Sequence, residues 1–515
     1  MRTQLPADEE LLHTRFFEHC RQSPEDPALR TRAGDISYGE LGRQVERFAS
    51  QLLAHGFEPG GRVAVLLDNG PEYPIAIYGT LAAGGVVVPL CPDSKGQALR
   101  WMLGHADVQV LVSGPRSTRL IVSSDWELPP KTQVIVSGSQ YPKDDVRFTG
   151  LDEVLATTAP FTPPTITGEA LAAIHYTSGT TGHPKGVMLE HRQLTSNVRS
   201  IIEYLGLVPR DVIGLTLPLY YAYGSSVLHT HLASGACIAF VSSLAYAQRS
   251  LEELVCMGAT GFSGVPASFA KLVPLQEKMQ LEMPALRYLT QAGAGMSKQL
   301  TQRALAAWPE AELYIMYGQT EASARLAWLP PDRLAQKLGS AGKPIPGVEL
   351  SIIDSEGNPV PPGQDGEVLA RGPSIMRGYW RDPEASAKAL RFGGLCTGDI
   401  GHLDEDGFLW LIGRQSELIK SGGHRIGPGE IEAALLRHPA VAECGVAGYP
   451  DEELGEAIHA FVVLAEGTSA TATALQRHCL KELPRFKLPS AVHFVQELPR
   501  TASGKLQRRR LSFSS

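Results

Sequence analysis

Between Tyr176 and Gly186 the chain reads Tyr-Thr-Ser-Gly-Thr-Thr-Gly-His-Pro-Lys-Gly, directly after the apolar run Leu171 to Ile174. Four hydroxyl residues (Thr177, Ser178, Thr180, Thr181), the glycines Gly179, Gly182 and Gly186, and Lys185 share eleven positions. Glycines let the backbone approach an anion, and consecutive N–H groups form a concave nest for it. Hydroxyls donate to phosphate oxygens and Lys185 adds a cation beside them. A flexible surface turn has a similar composition, but strand, hydroxyls, glycines and lysine in this order make a phosphate cradle. The usual loop of nucleotide hydrolases needs Gly-Lys-Ser/Thr, whereas Pro184 precedes and Gly186 follows the lysine here.

Four further groups lie downstream in one order. Tyr317-Gly318-Gln319-Thr320-Glu321 offers an aromatic face for a purine, a hydroxyl for a phosphate and a carboxylate for Mg²⁺. Read alone, it is also an ordinary helix start. Thr397-Gly398-Asp399 supplies two acceptor oxygens, enough for the two hydroxyls of a ribose, and Arg414 can bond ribose or phosphate. In isolation these are a common turn and a surface charge. Pro499-Arg-Thr-Ala-Ser-Gly-Lys505 ends in a lysine able to act as a point charge, where most lysines are simply solvated.

This set, in this order and over nearly the whole chain, resembles the adenylate-forming superfamily of acyl-CoA synthetases, peptide-synthetase adenylation domains and beetle luciferases. The resemblance implies that Tyr317 packs on adenine, Gly318 lies in the same nucleotide-binding segment, Thr320 contacts the α-phosphate and Glu321 coordinates magnesium. It implies that Asp399 and Arg414 hold the ribose, and that Lys185 steadies the β- and γ-phosphates. Thr177 and Lys505 would serve the reacting groups, with Lys505 bridging carboxylate, phosphate and ribose oxygens. Gly293 and Ala294, in Gln291-Ala-Gly-Ala-Gly295, match the loop whose backbone lines the nucleotide and acyl pockets. Tyr221, Tyr223, Gly264 and Ala292 would line or gate the acyl side. Ser421, Gly422 and Gly423 would border a tunnel for a thiol arm, and Ser416 stands at the hinge of a rotating C-terminal domain.

The elements that must position these groups alternate. Ser37-Tyr-Gly-Glu40 suits a capping box, with Leu41, Val45, Phe48 and Leu52 on one helical face and Gly56 as its stop. Val63 to Leu67 and Val86 to Pro89 read as short buried strands, and β–α–β alternation implies a covered parallel sheet. Thr157 to Gly168, rich in Pro and Thr, reads as a connector. From Gly347 to Trp410, short strands broken by Gly, Pro and Asp suggest a small β-barrel or distorted sheet. A new unit begins between Arg414 and Gly423, with a helix near Glu430 to Arg437 and another from Ala472. The expected class is α/β: a large N-terminal domain, residues 1–414, of layered α/β subdomains plus a distorted β-barrel. A small mobile α+β domain, residues 415–515, would carry Lys505.

Composition bounds the rest. A chain of 515 residues with 43% hydrophobic and 20% charged residues suits a soluble protein of several subdomains. Its formal charge of −7 argues against a general nucleic-acid binder. There is no leader pattern and no uncharged run of about 18 residues that would span a membrane. Seven scattered cysteines without a Cys-x-x-Cys pair read as reduced cytoplasmic thiols and no zinc site.

The function implied is ATP- and Mg²⁺-dependent activation of a carboxylic acid to an acyl-adenylate, then transfer to a thiol. The acceptor is either coenzyme A or the phosphopantetheine of a stand-alone acyl or peptidyl carrier protein. Light-producing oxidation of the adenylate and a catalytically silent binding protein are the other classes; intact Glu321, Asp399, Arg414 and Lys505 speak against the latter. Two departures stand out. Relatives carry Asp or Lys at the hinge, where this chain has Ser416, and often His where it has Tyr221. The pocket stretch Tyr220 to Val227 holds no acid to pair with an α-ammonium, so a neutral fatty, short-chain or aryl acid is favoured over an amino acid. Arg508-Arg-Arg510 reads as a solvated tail or as a patch for CoA phosphates or an acidic carrier helix.

Overall fold

The computed structural model describes residues 10–94, 96–123, 128–129, 131–177, 184–415, 417–421, 424–451, 454–500 and 506–511. Ser178, Gly179, Thr180, Thr181, Gly182, Ser416, Gly422, Gly423 and Lys505 lie outside the described residues.

The helix Tyr38–Ala54 starts where the Ser37 side chain accepts from the Glu40 amide, and it buries Leu41, Val45, Phe48 and Leu52. Gly56, at φ +79°, takes the left-handed turn that follows it. The next strands, Arg62–Leu66 and Val86–Pro89, run parallel. All four residues of the second are buried, as expected of a parallel strand covered on both faces. They belong to an eight-stranded sheet in which Leu171–Thr177 lies beside Val86–Pro89.

A second, nine-stranded sheet is built around parallel strands that include Gly261–Gly264, Tyr288–Gln291 and Glu312–Tyr317. The helices Glu72–Ala82 and Ala222–Ser234 are buried nearly throughout. Tyr78 and His229 join them through a hydrogen bond of 3.0 Å between the phenol oxygen and Nδ1. One continuous apolar core takes residues from both helices and both sheets, which is the layered arrangement the alternating pattern demands.

The short strands after Gly347 form a five-stranded antiparallel sheet with register breaks at Glu367/Leu369 and Ile400/Gly401. A fourth sheet begins at Ile419 and carries the helices Pro428–Leu435 and Ala472–Leu480 around an apolar cluster of its own. All seven cysteines are free. Among the described residues no helix is long and apolar enough to cross a membrane.

Candidate active site

The first three sheets meet at one place. Gly261–Gly264, Tyr288–Gln291 and Glu312–Tyr317 end side by side, with Gly264 opposite Gln291 and Gln291 opposite Ile315. The carboxyl ends of parallel strands are where open α/β sheets form ligand crevices. Tyr317, the last residue of its strand, donates its phenol proton to Asp399 Oδ2 at 2.6 Å. The other carboxylate oxygen of Asp399 pairs with Arg414 Nε at 2.9 Å, since the two residues face each other across antiparallel strands. Arg414 Nη1 also donates to the Thr397 carbonyl at 3.0 Å. Burial, then the Asp399 charge, push the Tyr317 phenol well above its ordinary pKa, so it stays a donor. The Tyr317 ring face is not consumed by these bonds.

Beyond Tyr317 the chain folds back in a single 3₁₀ turn, Thr320–Ala322, not in a full helix. The Leu326 amide returns to the Tyr317 carbonyl at 2.9 Å. Gly318 makes this crossing possible: a Cβ there would stand 2.2 Å from the Ala324 carbonyl oxygen and 2.7 Å from the Arg325 Cα. Both are backbone atoms that cannot step aside. Gly318→Ala is expected to cost about 1–3 kcal/mol, as overpacking does, and to lower the melting temperature. An unchanged melting curve would show that the crossing opens freely.

Glu321 sits on this turn and accepts from the Tyr379 phenol at 2.9 Å through Oε1, while its backbone carbonyl accepts from the Met376 amide at 2.8 Å. Tyr379, in Gly378-Tyr-Trp380, carries no signal in the sequence that marks it for this contact. It belongs to a two-residue strand that pairs with Lys185–Glu190, with Tyr379 opposite Val187. Lys185 Nζ lies 5.0 Å from the Tyr379 ring centroid, in cation–π range. Burial first, then the Glu321 charge, raise the Tyr379 phenol. Thr177 and Lys185 oppose each other across the hairpin that carries residues 178–184, and Thr177 Oγ1 approaches the Lys185 carbonyl at 3.5 Å. The cation at the loop's exit therefore stands against the same phenol that holds the Glu321 carboxylate. The second oxygen of Glu321 points to the chemistry of a hard-cation ligand, and magnesium fits that donor.

At the ends of the two neighbouring strands lie Gly264, Ala292, Gly293 and Ala294. Ala292 is buried, Gly293 adopts φ +91°, and Gln291 Nε2 donates to the Ala294 carbonyl at 2.7 Å, which fixes this loop. Tyr223 donates to the Thr290 carbonyl at 3.0 Å, its phenol oxygen lies 2.8 Å from Thr290 Oγ1, and Arg325 stacks on its ring. Tyr221 is the residue before the helix Ala222–Ser234, half-buried against Tyr220. In the C-terminal unit Ser421 is buried, opposite His424 and Gly455. The basic cluster is not a free patch in full: Arg508 pairs with Glu417 at 2.7 Å and Glu432 at 2.8 Å. Only Arg510 of the described side chains there is exposed.

The model of the AMP-binding enzyme family matches residues 16–380, and that of the AMP-binding enzyme C-terminal domain matches 430–505. The chain is 34% identical over 481 residues to a sulfoacetate–CoA ligase of Cupriavidus necator, covering 92% of each. It superimposes on an anthranilate CoA ligase in complex with anthranoyl-AMP at a TM-score of 0.90 and 25% identity, covering 99% of this chain and 98% of that one. The o-succinylbenzoate coenzyme A synthetase of Bacillus subtilis, in complex with ATP and magnesium ion, is 28% identical with a TM-score of 0.83, covering 96% and 98%. By its two matched parts and its coverage of these relatives, the chain belongs to the family of AMP-binding enzymes.

Proposed function

We propose that the protein is an AMP-forming acid–thiol ligase: it joins a fatty, short-chain or aryl acid to AMP, then passes the acyl group to coenzyme A. The observation that carries this reading is the convergence of Tyr317, Asp399 and Arg414 on one side of a short turn with Glu321, Tyr379 and Lys185 on the other. A ribose fits the first group and a metal-bound polyphosphate the second. Coenzyme A is the acceptor named for all three relatives above. The seven free cysteines support a reducing, cytoplasmic setting.

In the first half-reaction a carboxylate oxygen attacks the α-phosphorus of ATP in line, the bond to pyrophosphate breaks, and acyl-AMP remains. Two anions approach each other, so positioning and charge neutralisation dominate the barrier. Asp399 and Arg414 hold the sugar, Thr320 and the loop hydroxyls receive phosphate oxygens, and Lys185 faces the outer phosphates. Magnesium, when bound at Glu321, neutralises phosphate charge. In the second half-reaction a thiol attacks the acyl carbon and AMP leaves; no side chain becomes acylated. We assign the domain boundary to 414/415, with Ser416 as hinge, Lys505 serving adenylation and Ser421 to Gly423 the thiol.

The test is ATP–pyrophosphate exchange against a panel of acids with no thiol present, followed by coenzyme A and a holo-carrier protein side by side. Acid-dependent exchange and a CoA thioester are expected. Exchange that requires the thiol, or transfer to the carrier alone, contradicts the reading. Lys505→Ala should lower exchange about 10²-fold, the cost of one preorganised electrostatic group, and leave thioester formation from supplied acyl-AMP within about threefold. Equal loss in both half-reactions would defeat the two-step assignment of the lid.

A further inference from the structure

Arg325 is 3% exposed, yet among the described residues no carboxylate pairs with it. Its guanidinium donates to the Ala324 carbonyl at 2.9 Å and to Met316 Sδ at 3.3 Å, lies beside the Tyr204 phenol, and stacks 4.2 Å from the Tyr223 ring centroid. Every one of those partners is neutral. Elsewhere the molecule matches its buried charges. Asp211 is held by Arg287, Glu10 by Arg15 and Arg199, and Glu190 by Arg192. A guanidinium cannot shed its proton, so burial without an anion is a standing cost unless something brings the counter-charge.

The place of Arg325 says what brings it. The residue follows Glu321 by four positions and packs on Tyr223, whose phenol reaches Thr290 at the end of its parallel strand. Thr290 Oγ1 in turn meets Ser263 Oγ, on the neighbouring strand, at 2.7 Å. The guanidinium therefore stands one ring away from the hydroxyls near the carboxyl ends of two adjacent parallel strands, against Tyr223, a residue the sequence assigns to the acyl side. The hydroxyls satisfy one another, but a hydrocarbon tail would leave the guanidinium without a counter-charge.

The backbone is bent to deliver it. Ser323 and Ala324 have φ of +54° and +95°, both left-handed and neither a glycine. Such conformations persist where surrounding bonds over-determine them, and they gather at functional sites. Here Ser323 Oγ donates to the Ser374 carbonyl at 2.8 Å and Asn197 Nδ2 to the Arg325 carbonyl at 3.0 Å.

We propose that the acid activated at this site is a short-chain or aryl acid with a second anionic group, a carboxylate or sulfonate, which the Arg325 guanidinium receives as a bidentate partner. The proposal rests on the adenylation reading and narrows its substrate. It departs from a neutral acid, which was favoured only because Tyr220 to Val227 lacks a carboxylate for an ammonium group.

The test uses pyrophosphate exchange with matched pairs: butyrate and succinate, hexanoate and adipate, benzoate and isophthalate, propionate and 3-sulfopropionate. In at least one pair the dianionic acid is expected to exceed its neutral partner about fiftyfold in kcat/KM, the scale of a charge-assisted bidentate bond. Arg325→Met should erase that preference while leaving the neutral acid within about threefold, and Arg325→Lys should retain part of it. Melting curves of both variants report folding separately. Preference for the neutral acid in every pair would overturn the proposal and leave adenylation standing. So would equal loss of both acids in a folded Arg325→Met protein, because the guanidinium would then serve a part common to all substrates. No exchange with any acid would remove the adenylation reading, and this inference with it.

Discussion

Asp399→Ala is expected to lower kcat/KM for ATP in pyrophosphate exchange about 10³-fold. The magnitude follows from what the carboxylate can hold. Oδ2 accepts from Tyr317 and Oδ1 pairs with Arg414, and a carboxylate so held presents two acceptor oxygens suited to the two hydroxyls of a ribose. A hydrogen bond to a charged group contributes roughly 1.5–3 kcal/mol. Losing two gives about 4 kcal/mol, and 1.4 kcal/mol is a factor of ten. A second cost falls on the protein itself: the Tyr317 phenol loses an acceptor and Arg414 the carboxylate it is paired with. Asp399→Asn separates the two costs. An amide keeps an acceptor for Tyr317 but not the charge opposite Arg414, so it should recover much of the stability and only part of the activity. A loss below about fivefold for Asp399→Ala, in a folded protein, would mean that the nucleotide binds elsewhere.

The parts of this site visible in the sequence are those in which chemistry is contiguous. Thr177 and Lys185 could be read because hydroxyls, glycines and a lysine crowd one hairpin loop, whose flanking strands then oppose the two residues. The helix from Tyr38 could be read because its cap and its four core residues lie within one periodic window. Contacts that close over long separations were not visible. Tyr379 reaches Glu321 across 58 positions, and nothing in Gly-Tyr-Trp marks one phenol as the partner of a carboxylate. Arg325 was missed for a different reason: a lone arginine between alanine and leucine reads as a surface charge, and only the fold shows it buried without an anion. Arg508 misled in the opposite sense. Three arginines in a row read as a solvated tail or a basic patch, while Glu417 and Glu432, 91 and 76 positions away, neutralise the first of them.

Glu321→Gln is expected to cost a similar factor, about 10³ in kcat, but to act through the metal and not through the sugar. The substitution keeps an oxygen able to accept from Tyr379 and removes only the charge that a hard cation needs. A cation that neutralises phosphate charge supplies several kcal/mol of transition-state stabilisation, and about 4 kcal/mol corresponds to the stated factor. The half-maximal Mg²⁺ concentration should rise, and direct Mn²⁺ binding in the presence of ATP should weaken with it, a readout independent of turnover. Tyr379→Phe isolates the positioning contribution. Its phenol fixes one carboxylate oxygen at 2.9 Å, so its loss should cost about tenfold and raise the Mg²⁺ requirement in the same direction. If Tyr379 acts through Glu321, the double variant should be no worse than Glu321→Gln alone, because the contact has already lost its purpose. Additive losses would instead assign the phenol a role of its own, with the Lys185 ammonium 5.0 Å from its ring as the first place to look.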